Sequence, residues 1–240
     1  MITQSVAKIY LSEQRGINET DRFRTYSTFN FRHYHSEYRH PFGDLYVLND
    51  DSLAGGHSLK MHVPENSYLI LLPVVGAVGY HDSLGNEGLV NTGDLQVLFT
   101  TEDYDIELLN PYDSDLINFL QIWIRKEQKA SVIKPQLANL PLDQNPNNLI
   151  RVLPALKASS NQPESQPIIS MGKFAGRHEA VYKKSKTENG LFIFVIQGAF
   201  EVQGRLLHPR DGLSLSGEDN EIDMEALSND AIIFIIELNR

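Results

Sequence analysis

Short apolar runs, separated by Gly, Asn and Asp, punctuate most of the chain. That spacing predicts β-strands joined by turns. Leu45-Tyr46-Val47-Leu48 is one such run, closed by Asn49-Asp50-Asp51. Tyr68 to Val75 is almost continuously apolar, the pattern of a strand buried on both faces. Val78-Gly79-Tyr80-His81 and Gly88-Leu89-Val90 flank Asp82-Ser83-Leu84-Gly85-Asn86-Glu87, which predicts a hairpin with Gly and Asn where positive φ is needed. From Tyr104 to Leu108 the period is two. Tyr104, Ile106 and Leu108 share one face, and Asp105 and Glu107 share the other. The same alternation in Glu221–Glu225 turns Ile222 and Met224 inward.

The pattern occurs twice. Leu69-Ile70-Leu71-Leu72-Pro73-Val74-Val75 runs into Gly76-Ala77, and Leu191-Phe192-Ile193-Phe194-Val195-Ile196-Gln197 runs into Gly198-Ala199. Each copy ends in a further apolar run, Ile117 to Ile124 and Ala231 to Leu238. Residues 125–165 differ, being rich in Pro, Asn, Gln and Ser. They predict a linker, with a short helical turn near Leu149 to Lys157 ended by Pro154. Asn189-Gly190 marks a further hairpin. The expected division is therefore an N-terminal barrel over 1–125, a crossover over 126–165 and a C-terminal barrel over 166–240. The fold class is all-β, with two antiparallel β-barrels of jelly-roll type packed together.

Composition narrows the function. The net charge of −10 repels a phosphate backbone, and no Lys/Arg cluster stands against it, so nucleic acid is excluded as a direct partner. The nearest basic patch, Lys183-Lys184-Ser185-Lys186, reads as a solvated turn. With no cysteine, disulfides, a thiolate nucleophile and cysteine-ligated metal are excluded. No apolar run is long enough to span a bilayer, and the N-terminus carries no apolar targeting stretch, so the expectation is a cytoplasmic protein without membrane contact. No Gly-x-Ser-x-Gly elbow and no phosphate-binding Gly-rich loop occurs.

Several blocks resemble the pirin family of the cupin superfamily. Gly56, five residues and His62 resemble the opening of the first cupin motif. Ser27-Thr28-Phe29-Asn30-Phe31-Arg32-His33-Tyr34 and Phe42 to Asp50 are similar to the family's N-terminal blocks. So are Gly76, His81 to Gly88 and Gly93-Asp94-Leu95-Gln96. The resemblance covers residues 25–124 well and 165–240 loosely. It implies a bicupin. Metal-bearing members hold an iron-type ion in the N-terminal barrel through two histidines one residue apart, then a histidine and a glutamate one residue apart. Some members have quercetin 2,3-dioxygenase activity.

Aligned without gaps on Gly76 and Asp82, the first two ligand positions fall on His62 and Pro64. Aligned on Gly93-Asp94, the last two fall on Ile106 and Leu108. One ligand of four is kept, and one imidazole does not hold iron against water. A slip of one residue would bring in Glu107, but at the cost of exposing Ile106 and Leu108, roughly 1.5–3 kcal/mol each. In the second copy the corresponding positions are Lys184, Lys186, Ile222 and Met224. The expected site is thus a metal-free barrel interior lined by His62, Tyr68, Ile106 and Leu108, either a cavity for a small apolar molecule or a packed core, with no catalytic residue and no cofactor. The partner would be a small molecule or a protein. An iron-type metal and quercetinase-type dioxygenation form the alternative. His33, His35 and His40 read as structural, His57, His81 and His208 as turn residues, and Trp123 as core.

Overall fold

The computed structural model describes residues 6–126, 134–152 and 166–239. In chain order the first strands are β1 Val6–Tyr10, β2 Gly16–Glu19, β3 Phe23–Ser27, β4 Leu45–Leu53, β5 Ser58–Val63, β6 Ser67–Val75 and β7 Ala77–Asp82. There follow β8 Glu87–Asn91, β9 Asp94–Phe99, β10 Tyr104–Leu109, β11 Ile117–Arg125, β12 Gln136–Asn139, β13 Leu149–Arg151 and β14 Ile168–Phe174. The last are β15 Glu179–Lys183, β16 Gly190–Gln197, β17 Phe200–Val202, β18 Arg205–Leu207, β19 Gly212–Ser216, β20 Glu221–Ala226 and β21 Ala231–Leu238. No α-helix occurs among the described residues. Among the described residues no helix is long and apolar enough to cross a membrane.

The chain divides into two compact units, Arg15–Leu140 and Met1–Gln14 with Pro141–Arg240. The first unit pairs a seven-stranded sheet (β12-β9-β6-β11-β4-β3-β2) with a four-stranded one (β5-β10-β7-β8). The second pairs a six-stranded sheet (β1-β19-β16-β21-β14-β13) with another four-stranded one (β15-β20-β17-β18). These boundaries correct the expected ones. β1 is an edge strand of the second unit, running antiparallel to β19 from Val6–Ser216 to Tyr10–Gly212. The presumed crossover is also partly sheet, since β12 pairs with β9 and β13 with β14. Leu149–Arg151, expected as helical, is extended, and the remainder of that predicted turn lies outside the described residues. Edge strands are short and weakly patterned, so their sequences say little about which sheet they join.

The strong periods hold. The Asp82–Glu87 hairpin forms between β7 and β8, with Gly85 at φ 81°. The Asp82 carboxylate accepts from the Leu84 and Asn86 amides at 3.0 and 2.8 Å, closing the turn. β6 is buried along nearly its whole length. Its Pro73 would remove a ladder bond in a central strand, but β9 pairs only with Tyr68–Leu71, and the β11 register shifts at Asn118/Phe119, beside Pro73. In the first unit Leu69, Leu71, Leu98 and Phe119 meet Met61, Val78, Ile106 and Leu108 in one core. In the second, Leu191, Ile193, Ile233 and Ile235 meet Phe200, Ile222 and Met224.

Two turn readings change. β15 pairs with β20 and β16 with β19 and β21, so residues 184–189 connect two sheets and do not close a hairpin. Lys184, expected in a solvated turn, is buried. Its ammonium donates to the main-chain carbonyls of Thr187, of Asn189 at 3.1 Å and of Gly217 at 2.8 Å. Beside it the buried Glu237 carboxylate accepts from Tyr182 Oη, Ser185 N, Ser185 Oγ and Asn189 Nδ2 at 2.6–2.8 Å. Polar residues that signal a turn in sequence are here the partners of one buried cation and one buried anion.

Candidate functional site

The barrel-facing side of the four-stranded sheet in the first unit is set by the pairing of β5 with β10. Met61 pairs with Ile106 and Val63 with Tyr104, while His62 pairs with Asp105. Met61, Val63, Tyr104, Ile106 and Leu108 all belong to the core, and Ile106 and Leu108 are 1 % and 0 % exposed. Alternation therefore places His62 on the opposite face. Its side chain is 53 % exposed, with Nδ1 2.9 Å from Asp105 Oδ1 and Nε2 3.8 Å from Asp103 Oδ1. This overturns the expectation that His62 lines the interior. A gap-free count back from Gly76 passes through the Pro64-Glu65-Asn66 turn, and one residue gained or lost in a turn reverses the face of the whole preceding strand. Tyr68 is corrected as well. It is buried, but it alternates with the core residues Leu69 and Leu71, and its ring packs edge-on against Phe99 at 5.7 Å.

The interior positions opposite the seven-stranded sheet are thus Met61, Val63, Ile106 and Leu108. An iron-type ion takes imidazole and carboxylate donors. One thioether and three hydrocarbon side chains do not fit it. Among the described residues no group of three or more His, Asp or Glu is placed to hold a metal ion.

The polar groups of this sheet lie outside. Lys60, His62, His81, Ser83, Asp105 and Glu107 line an open groove of about 550 Å3. His81 Nε2 is 3.0 Å from Glu107 Oε2, and Lys60 Nζ is 3.7 Å from the same oxygen. The Ser58 hydroxyl donates to Glu107, and this bond is the main reason that its carboxyl is held below the ordinary value, aided by Lys60 and His81. Glu107 faces outward, as its alternation with Ile106 and Leu108 predicts. Such exposed pairs contribute about 0–1 kcal/mol each.

The opposing wall of the barrel carries polar residues that the sequence pattern did not reveal as buried. Asn49-Asp50-Asp51, read as a turn, lies within β4, which continues to Leu53. Asn49 and Asp51 alternate with Val47 and Leu53, so they share the barrel-facing side. Across the sheet, Asn49 pairs with Ser27 and Gln121, and Asp51 with Thr25 and Phe119. Gln121 Nε2 donates to Asp51 Oδ2. Asp50 faces the other way, held by Arg15 Nη1 at 3.2 Å and Asn118 Nδ2 at 2.7 Å. Burial pushes the Asp51 carboxyl up to about 7. The Thr25 hydroxyl and the Gln121 amide pull it down, Asp50 adds to the rise and Arg32 opposes it. Among the described residues Asn49 Oδ1, Asp51 Oδ1, Gln121 Oε1 and Trp123 Nε1 are buried without a hydrogen-bond partner. The signal available in the sequence was the recurrence of Asn, Asp and Gln at every second position of apolar runs.

Comparison with known proteins follows the same lines. Residues 10–124 match the family model described as pirin, and residues 164–238 match the model described as the quercetinase C-terminal cupin domain. The chain belongs to the pirin family. As a pirin-type bicupin it is 22 % identical over 227 residues to the quercetin 2,3-dioxygenase of Escherichia coli K12, covering 94 % of this chain and 96 % of that one. It is 24 % identical over 221 residues to a putative quercetin 2,3-dioxygenase of Pseudomonas aeruginosa, covering 86 % and 89 %. Among solved structures, the bacterial pirin YhhW of Escherichia coli in complex with nickel(II) superposes with a TM-score of 0.82 at 20 % identity, over 97 % of this chain and 99 % of that one. At that identity the likeness shows the fold. The nickel belongs to that pirin.

Proposed function

We propose that this pirin-type bicupin works without a metal in its N-terminal barrel and binds a small molecule there, in place of running quercetinase-type dioxygenation. One observation carries the metal-free half of the reading: the inward positions Met61, Val63, Ile106 and Leu108 are buried and apolar, so they offer an iron-type ion no imidazole or carboxylate donor. Fold alone does not fix function, so relatives named for dioxygenase activity do not supply the missing donors. A chain of net charge −10 also suits a small-molecule or protein partner better than nucleic acid. The test is elemental analysis of protein purified without chelator, together with oxygen uptake on quercetin. The expected result is no stoichiometric transition metal and no uptake when iron or nickel is added. One retained ion per chain, or metal-dependent oxygen uptake that survives purification, would overturn the proposal.

A further inference from the structure

Where β11 leaves the seven-stranded sheet of the first unit, a pocket of about 370 Å3 opens between Asp44, Glu65, Asn66, Glu102, Arg125 and Lys126. The ladder continues past the end of the strand. Arg125 N donates to Asp44 O and Lys126 N donates to Asn66 O, both at 2.9 Å. Alternation along β11 puts Lys126 on the side of Ile124 and its cross-strand partner Tyr68, away from the core residues Leu69 and Trp123.

The two cations of the pocket differ. Arg125 has its counter-charge: Nε donates to Glu65 Oε2 at 2.5 Å, and the guanidinium lies over the Tyr46 ring at 4.5 Å. Lys126 Nζ instead stands 5.6 Å from the Tyr68 ring centroid and 5.7 Å from that of Phe99. Among the described residues no carboxylate lies within ion-pair distance of it. Rings near the ~6 Å limit attract a cation only weakly, and they take the place of water around it. Dehydration is the larger effect, and it holds the partly buried Lys126 amine below its ordinary 10.5. Lys60, Lys173 and Lys183, by contrast, each face a carboxylate that favours the charged form.

A partly dehydrated amine at the wall of a pocket is poised as a nucleophile, because only the neutral form carries the lone pair. We propose that Lys126 condenses with small neutral aldehydes bound in this pocket. The amine attacks the carbonyl carbon, a C=N bond replaces the C=O bond, and the oxygen leaves as water with both hydrogens taken from the nitrogen. No oxidant, reductant or further reactant is needed. The volume suits a small molecule, at the low end of the ~300–1,000 Å3 of ligand sites. The acidic rim of Asp44, Glu65 and Glu102 disfavours an anion, which selects a neutral carbonyl compound. The site is separate from the barrel interior and does not rest on the metal-free reading.

The probe is benzaldehyde, added to the full chain with cyanoborohydride to fix the imine and followed by peptide mass mapping. At about pH 7.5 ordinary lysines are almost wholly protonated. The exposed Lys186 serves as the reference within the same chain. Lys126 is expected to label at least about tenfold faster than Lys186, at a rate that saturates with aldehyde, because binding holds the carbonyl beside the amine. Its rate should also level off at a lower pH than that of Lys186. Lys126→Arg keeps the charge and is expected to remove the fast, saturable labelling while urea unfolding stays unchanged. Labelling of Lys126 no faster than that of Lys186 overturns the reactive amine. Fast labelling that rises linearly without saturating overturns recognition of the aldehyde by the pocket.

Discussion

Replacing Asp51 with Asn tests the buried wall through pH. In the folded chain burial raises the Asp51 carboxyl to about 7 from an ordinary 3.8. Between those values the unfolded chain has lost the proton and the folded chain keeps it. The unfolded state then binds fewer protons, so this residue's contribution to stability falls as pH rises through that window. At 1.36 kcal/mol per tenfold change in proton affinity, the full span corresponds to roughly 4 kcal/mol, an upper bound that water entry would reduce. Asparagine matches the shape of the protonated acid and does not ionise. Urea unfolding of both proteins from about pH 4.5 to about pH 8 gives the difference in which all shared titrations cancel. Trp123 is the single tryptophan and lies in the first core, packed edge-on against Phe31 and Tyr46, so its fluorescence reports on the unit that contains Asp51. The stability of Asp51→Asn relative to the native chain should rise by several kcal/mol across the range and level off above the folded value. A difference that stays flat with pH refutes the buried, proton-holding carboxyl.

The face assignment of β5 and β10 separates two further variants. Ile106→Ala should destabilise by about 2–5 kcal/mol through a core cavity, whereas His62→Ala should stay within ~0.5 kcal/mol; a large cost for His62→Ala in denaturant unfolding would restore it to the interior. Tyr104 Oη donates to Asp82 Oδ2 at 2.5 Å from a buried ring, so Tyr104→Phe should cost about 1.5–3 kcal/mol, and a neutral result would show that the hairpin carboxylate is satisfied without it. In the second unit burial alone would raise the Glu237 carboxyl, but bonds from Ser185, Asn189 and Tyr182 outweigh it and hold it below the ordinary 4.5. Its contribution is therefore present above that value and lost as pH falls through the folded one. Glu237→Gln should cost about 1.5–3 kcal/mol at neutral pH, and unfolding curves taken toward acid should converge with those of the native chain.

How legible the molecule was depends on the residue. Ile106, Leu108, Ile222 and Met224 declared their inward faces because strand alternation has a fixed period and a buried face enforces it. The Asp82–Asn86 turn declared itself because positive φ at Gly85 demands particular residues. His62 did not, because its face depends on a residue count through a turn, and no local rule fixes that count. Asn49 and Asp51 looked like a turn because Asn and Asp favour turns when no tertiary partner is considered. Lys184 looked solvated for the same reason.

The amino-acid sequence by itself determined that the chain folds as two β-barrels of the pirin kind. Repeated apolar periods and turn residues act over a few neighbours, and a few neighbours suffice to specify strands, faces and hairpins. Only the tertiary structure decided that β1 belongs to the second unit, that His62 lies outside the barrel, and that Asn49, Asp51, Gln121 and Trp123 converge on one buried wall. Each of those facts rests on pairing between residues distant in the chain. Pairing is chosen by the burial and hydrogen bonding of the whole sheet, which no short stretch of sequence contains.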